Sequence, residues 1–313
     1  MEQVGLAVVL SERSHPAPPG HPERYERLAL LPSTLASAGL RAVVSNFPMG
    51  SYPVDLLKRV HDPEYIDDLQ KYSETGIGYL DPDTYRSSTS FAASCDVTWA
   101  VLSAVDAAFG SGPGVSFVIG RPPGHHAESD RAMGFCLVNH IAVAAQYAID
   151  HRACKRVAIV DFDVHHGNGS QHTFYDRSDV LFISTHQYPF YPGTGSQAEQ
   201  GRGTGLGYTV NFPLPAGAGD KELVGLFEND IGDILTRFGP ELILVSAGFD
   251  GHHLDPLGGF AVTGQGFQRI GRALRNPSDQ LCGSRLVSSL EGGYHPEGNV
   301  DSITNYITGL ALA

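Results

Sequence analysis

Short runs of uninterrupted apolar residues recur along the chain, each closed by glycine, proline or ionisable residues. The clearest are GVSFVIG (114–120), VAIVDFDV (157–164), VLFISTH (180–186), LILVSAGFD (242–250) and RLVSSLEGGY (285–294). Continuous β-branched runs of this length are what parallel strands buried on both faces require. Between them lie longer stretches with helical periodicity, among them NHIAVAAQYAID and KELVGLFENDIGDILTRF. Strand alternating with helix predicts an α/β protein of three layers around a mostly parallel sheet. No internal repeat and no linker interrupts the pattern, so residues 1–313 read as one domain.

The polar residues fall in one place. The runs end in DFDVHH, STH, AGFD and EGGY, so each delivers ionisable groups at its C-terminal end. In open α/β sheets that edge is where ligands bind, which predicts several strands converging on one site.

Composition narrows the classes. There are 34 acidic and 21 basic residues, a net charge of -13, and the basic footprint of a nucleic-acid binder is missing. An acidic surface suits a cationic substrate over a Debye length of ~8–10 Å, although many proteins are acidic only for solubility. Cys95, Cys136, Cys154 and Cys282 are widely spaced and form no CxxC pair, so they read as reduced core residues of a cytoplasmic protein. The apolar run in MEQVGLAVVLSERSHP is too short for a signal peptide, and no segment is expected to reach the ~18 apolar residues of a membrane span.

The chemistry lies in short clusters. In VDFDVHHGNG, Asp163 and His165 are two positions apart at an expected strand end and so point the same way, as do Asp161 and His165. A carboxylate and an imidazole on one face can hold a divalent ion, or can simply cap the strand as a hydrogen-bonded pair. Asp250 follows an apolar run in SAGFDGHHLDPLGG. It either caps the next helix or completes an Asp-His-Asp site with a position left open for water and substrate. In RPPGHHAESDRAMGFC a proline-glycine turn presents His125 and His126 side by side, an arrangement suited to proton transfer or an exposed polar loop. Tyr294, after two glycines in SLEGGYHPEGN, is placed either to donate to a developing oxyanion or to pack at a sheet edge.

Taken in order, RPPGHHAE…GFC, DFDVHHGNG, YPGTG, SAGFD…DPLGG and EGGY resemble the histone deacetylase and acetylpolyamine amidohydrolase family, especially its class II branch. The resemblance runs from HPERYERL near residue 21 to EGGYHPEGN near residue 299. It implies an arginase/deacetylase-like fold with a sheet of about eight strands. It also implies a zinc-dependent amidohydrolase that removes acetyl or other acyl groups from the side-chain amine of lysine. The alternatives are an acetylpolyamine or other small-amide deacetylase and, further off, a non-catalytic binding module. Ureohydrolase chemistry of the arginase relatives is set aside, because DFDVHHGNG lacks their aspartate-rich motifs.

By that resemblance Asp163, His165 and Asp250 hold one zinc ion. His126 is the general base, paired with Asn168 where class I members carry aspartate, so it is expected to be neutral at pH 7. His125 is its electrostatic partner, oriented by Asp161, and Tyr294 completes the oxyanion site. Phe135, beside Gly134, and Tyr191 match the walls of a substrate tunnel, with Leu257 at a rim position where an acetylpolyamine specialist carries glutamate. Asp81 or Asp83 is expected to reach the substrate backbone or a distal amine. Asp161, Ser184 and Thr185 match a potassium site, and Arg27 an arginine near the acetate exit cavity. His252 and His253 have no assigned role, and no membrane or nucleic-acid partner is expected.

Overall fold

The computed structural model describes residues 6–10, 15–37, 42–44, 54–72 and 76–311. Of the N-terminal stretch MEQVGLAVVLSERSHP, residues 1–5 and 11–14 lie outside these. The strands in chain order are β1 (Leu6–Leu10), β2 (Ala42–Val44), β3 (Gly78–Tyr79), β4 (Tyr85–Arg86) and β5 (Val115–Ile119). They continue with β6 (Val157–Asp161), β7 (Val180–Gln187), β8 (Thr209–Leu214), β9 (Leu242–Ala247) and β10 (Leu286–Leu290). A central block of parallel strands runs β5-β10-β9-β6-β7-β8, and β1 and β2 continue it beyond β5, giving the order β2-β1-β5-β10-β9-β6-β7-β8. β3 and β4 form a separate antiparallel ribbon.

The central strands are buried along their whole length because both faces are covered. Helix Gly264–Cys282 and the C-terminal helix Pro296–Ala311 bury Phe267, Ile270, Leu274, Tyr306 and Ile307 on one face. Helices Ser90–Phe109 and His140–His151 bury Val97, Val101, Val105, Ile141 and Ala145 on the other. These layers hold the C-terminal ends of β5, β6, β7, β9 and β10 at one edge of the sheet.

Three expectations need correction. Helix Ser90–Phe109 is long and apolar enough on average to cross a membrane, which a search for unbroken apolar runs passes over because Ser94, Asp96 and Thr98 interrupt it. Its apolar face is taken up by the core, and most of the helix is buried. The segment KELVGLFENDIGDILTRF is helical but not one regular helix, since a π-turn at Phe227–Ile231 joins Asp220–Leu226 to Gly232–Phe238. The strands also stop short of the chemistry: β6 ends at Asp161, β9 at Ala247 and β10 at Leu290. Past those points backbone N–H groups turn to carboxylates instead of the ladder, as Asp163 N does to Asp161 Oδ1 at 3.1 Å and Gly292 N to Asp163 Oδ2 at 2.8 Å.

Candidate active site

Asp163, His165 and Asp250 meet at this edge from the loops after β6 and β9. Strand alternation is not what aligns them, since both Asp163 and His165 lie beyond the strand. A tight turn does it: the His165 N–H donates to Asp163 Oδ1 at 2.9 Å and the Val164 N–H to Asp250 Oδ1 at 2.9 Å. His165 Nδ1 then lies 3.1 Å from Asp163 Oδ1 and 3.1 Å from Asp250 Oδ2. One donor atom from each of the three falls within 4.8 Å of the others.

The electrostatics fit a cation. Burial opposes ionisation of Asp163, but the charges of His125 and His165 hold it well below the usual carboxylate range. Burial beside Asp163 pushes Asp250 up. Burial opposes charge on His165 too, yet hydrogen bonds to Asp163 and Asp250 push it up to about 10. A carboxylate pair this strained by its own negative potential is relieved by positive charge between the donors. The backbone makes room as well: a Cβ on Gly292 would lie 2.1 Å from Asp250 Oδ2 and 2.6 Å from Asp163 Oδ2.

The tandem histidines are buried beside this triangle, His126 with its ring centroid 5.9 Å from that of His165. His125 Nδ1 donates to Asp161 Oδ2 at 2.9 Å. Burial opposes its charge, but Asp161, Asp163 and Glu291 outweigh burial and push it up to about 10. His126 is the opposite case: burial and the charges of His125 and His165 hold it well below 6.5. Its Nδ1 lies 2.7 Å from Asn168 Oδ1, so one histidine carries charge and its neighbour stays neutral.

Aromatic groups surround the site. Phe135 adopts φ 67°, a left-handed conformation unfavourable for a bulky residue, which sets its ring edge-on to Tyr294 at 5.6 Å and to His21 at 4.9 Å. The preceding Gly134 is also left-handed, and a Cβ there would lie 2.3 Å from the His126 ring. Tyr191 stands perpendicular to His126 with centroids 5.2 Å apart, near enough to Asp83 and Asp81 for their charges to raise its phenol beyond the effect of burial. Tyr294 is half-buried beside them, its N–H held by Asp255 Oδ2 at 2.6 Å and its ring 5.3 Å from the Arg27 guanidinium. Leu257 is half-buried in the same loop as Asp255, to whose Oδ1 its N–H donates at 2.9 Å.

The remaining residues fall in distinct places. Ser184 pairs with Asp161 across β6 and β7, and the neighbouring Thr185 hydroxyl is buried with no hydrogen-bond partner among the described residues. Arg27 is buried rather than on a surface helix, and donates to Glu291 O and Gly293 O at 2.9 Å each. Asp81 accepts from the N–H of Asp83 and of Thr84, shaping the loop that packs on Phe135. His252 is anchored away from the donor triangle, to Asp301 of the C-terminal helix at 3.2 Å, and the exposed His253 lies beside it with its ring tilted by 39°. The four cysteines are buried, and among the described residues none is joined in a disulfide. Cys136 is less isolated than the sequence suggests, because its sulfur shares a buried cluster with His125 and Glu291. It donates to Gly134 O at 3.3 Å, and burial pushes its thiol up, so it packs as a thiol.

Sequence reasoning missed Phe190, which stacks on His165 with centroids 5.3 Å apart, and Glu128, which holds Asn168. Their neighbours Tyr191 and His126 stood in recognised motifs, but nothing in the residue pattern separated them from ordinary loop positions.

Residues 21–310 match the histone deacetylase domain family, and the chain belongs to that family of deacetylase-type hydrolases. It is 38% identical over 304 residues to "Histone deacetylase 10, chloroplastic" of Oryza sativa subsp. japonica, covering 91% of this chain and 68% of the rice protein. It is 38% identical to a "Probable deacetylase" of Archaeoglobus fulgidus, covering 91% of this chain and 79% of that one. To the "Histone deacetylase-like amidohydrolase" of Pseudomonas aeruginosa it is 36% identical, over 89% of this chain and 74% of the relative. The crystal structure of the HDA15 HD domain superposes with a TM-score of 0.88 at 37% identity, covering 98% of this chain and 88% of that one.

Proposed function

We propose that this chain is a zinc-dependent deacylase that hydrolyses the amide of an acyl-lysine side chain. The observation that carries the reading is the Asp163–His165–Asp250 donor triangle beside a histidine pair split into one charged and one neutral member. Two carboxylates and one imidazole, with no fourth ligand in the group among the described residues, suit a catalytic zinc, which when bound supplies Lewis-acid polarisation of the amide carbonyl and a water of lowered pKa.

His126, neutral and held at Nδ1, takes the water proton at Nε2 and later delivers it to the departing amine nitrogen. His125, held by Asp161, keeps a positive charge near the acyl carbon while negative charge develops there. Tyr294 donates its hydroxyl to the developing oxyanion. Phe135 and Tyr191 enclose the aliphatic stem and exclude water from around the amide. Asp161, Ser184 and Thr185 would supply oxygen donors for a potassium ion at the ends of β6 and β7. A reducing, cytoplasmic setting suits four buried thiols.

Leu257 supports a protein lysine substrate, since it offers a distal amine no charge partner. The acidic pair Asp81 and Asp83 near Tyr191 favours the second reading, an acetylpolyamine. Metal analysis with turnover of an acetyl-lysine peptide and an acetylpolyamine, with and without a hydroxamate, tests both. Chelator-sensitive turnover with one zinc per chain is expected. Protein free of zinc, or inert toward both substrates with zinc bound, would remove the reading.

A further inference from the structure

We infer that Glu128 is a positioning residue that decides, through the amide of Asn168, which ring nitrogen of His126 carries the proton. The functional consequence rests on reading His126 as the general base; the geometry does not.

Asn168 opens helix Asn168–Phe174 and is buried with its amide between two partners. Its Oδ1 lies 2.7 Å from His126 Nδ1, and its Nδ2 donates to Glu128 Oε1 at 2.5 Å and to the His126 carbonyl at 3.2 Å. A carboxamide can be turned over in its own plane with little change of shape, exchanging its accepting and donating ends. Turned that way, its NH₂ would face His126 Nδ1, and the ring would have to carry its proton on Nε2. That tautomer has no lone pair to receive a proton at Nε2.

Glu128 is the charged acceptor that, with the His126 carbonyl, decides between the two orientations. An ionised carboxylate only accepts, so it selects the NH₂ end of Asn168 and turns the oxygen to His126. The glutamate is kept ionised although it is 6% exposed. Burial opposes its charge, but hydrogen bonds from His172 and Asn168 outweigh that and hold it below the usual range. His172 Nδ1 lies 2.9 Å and 3.0 Å from the two Glu128 oxygens, and Arg131 lies 3.7 Å from Oε1. An aspartate at 168 would accept from His126 without help, at the cost of a negative charge against the ring. With asparagine, the charge sits beyond the amide, where half-exposed His172 shares it.

The test reads the tautomer directly. Histidine-¹⁵N NMR, with His126→Ala for assignment, is expected to find Nδ1–H on His126 in the wild type. Glu128→Ala, or Glu128→Met if the alanine variant does not fold, should shift His126 toward Nε2–H. In the same variant kcat should fall by roughly 10–100-fold with KM little changed. Glu128→Gln, whose amide oxygen can still accept from Asn168, should keep Nδ1–H. Adding Asn168→Asp to Glu128→Ala should restore it. A folded Glu128→Ala or Glu128→Met protein that retains Nδ1–H and kcat overturns the inference, as does Nε2–H in the wild type. A tautomer switch in a protein that deacylates nothing would sustain the positioning of His126 and retire the general-base reading alone.

Discussion

The backbone N–H of Gly292 donates to Asp163 Oδ2 at 2.8 Å, joining the loop after β10 to the loop after β6 across 129 positions of sequence. The glycine is what allows the approach, because a Cβ there would overlap both Asp163 and Asp250 carboxylates. Gly292→Ala is therefore expected to displace the donor triangle without unfolding the sheet. Metal analysis of the purified variant should find zinc lost or bound at least tenfold more weakly. A variant that keeps full metal content would show that the triangle does not depend on this contact.

Tyr294 is held by Asp255 at its backbone and by packing on Phe135 and Arg27, so removing its hydroxyl leaves its surroundings in place. Tyr294→Phe should lower kcat on the order of 10²–10³ while zinc stays bound. Near-full turnover in that variant would remove Tyr294 from the oxyanion site.

With His126 as the proposed general base, the acid limb of kcat/KM is expected to follow its titration, because only the neutral ring accepts a proton. Burial, His125 and His165 all depress its pKa, so the limb is expected below pH 6.5. Replacing the charged neighbour, as in His125→Asn, should move that limb toward higher pH as well as lowering the rate. A pH profile whose limb stays in place would separate the two histidines electrostatically.

Stability carries its own pH signature. Burial lowers His140 to about 4, with its ring between Thr98 and the Pro122 carbonyl. The unfolded chain then binds the extra proton between pH 6.5 and about 4. This contribution is complete above 6.5 and is lost as pH falls through that window. Urea midpoints at pH 7.5 and 5 should differ less in His140→Gln than in the wild type. Equal pH sensitivity in both proteins would show that His140 titrates normally in the fold.

Leu257 offers a test of substrate class. Leu257→Glu adds a carboxylate to the loop that carries Asp255, and should shift kcat/KM toward an acetylpolyamine over an acetyl-lysine peptide by about tenfold. An unchanged ratio would place the rim elsewhere.

Much of this protein was legible in the order of its residues. Apolar runs long enough for doubly buried strands, each closed by ionisable groups, already implied a parallel sheet with its chemistry at one edge. That inference is local, because burial on both faces demands continuous hydrophobicity. The motifs DFDVHHGNG, AGFD and EGGY each left two readings open by themselves, and it was their shared order, resembling one family, that pointed to Asp163, His165, Asp250 and Tyr294.

Only the tertiary structure decided how those groups meet. The strands end before Asp163, Asp250 and Tyr294, and their convergence comes from backbone N–H groups of distant loops bound to carboxylates, which no periodicity encodes. Phe190 beneath His165, Arg27 beneath Tyr294 and Glu128 behind Asn168 are likewise contacts between segments far apart in sequence. A residue's type states what it can donate or accept. Which partner it finds is set by the packing of the whole sheet and its covering helices.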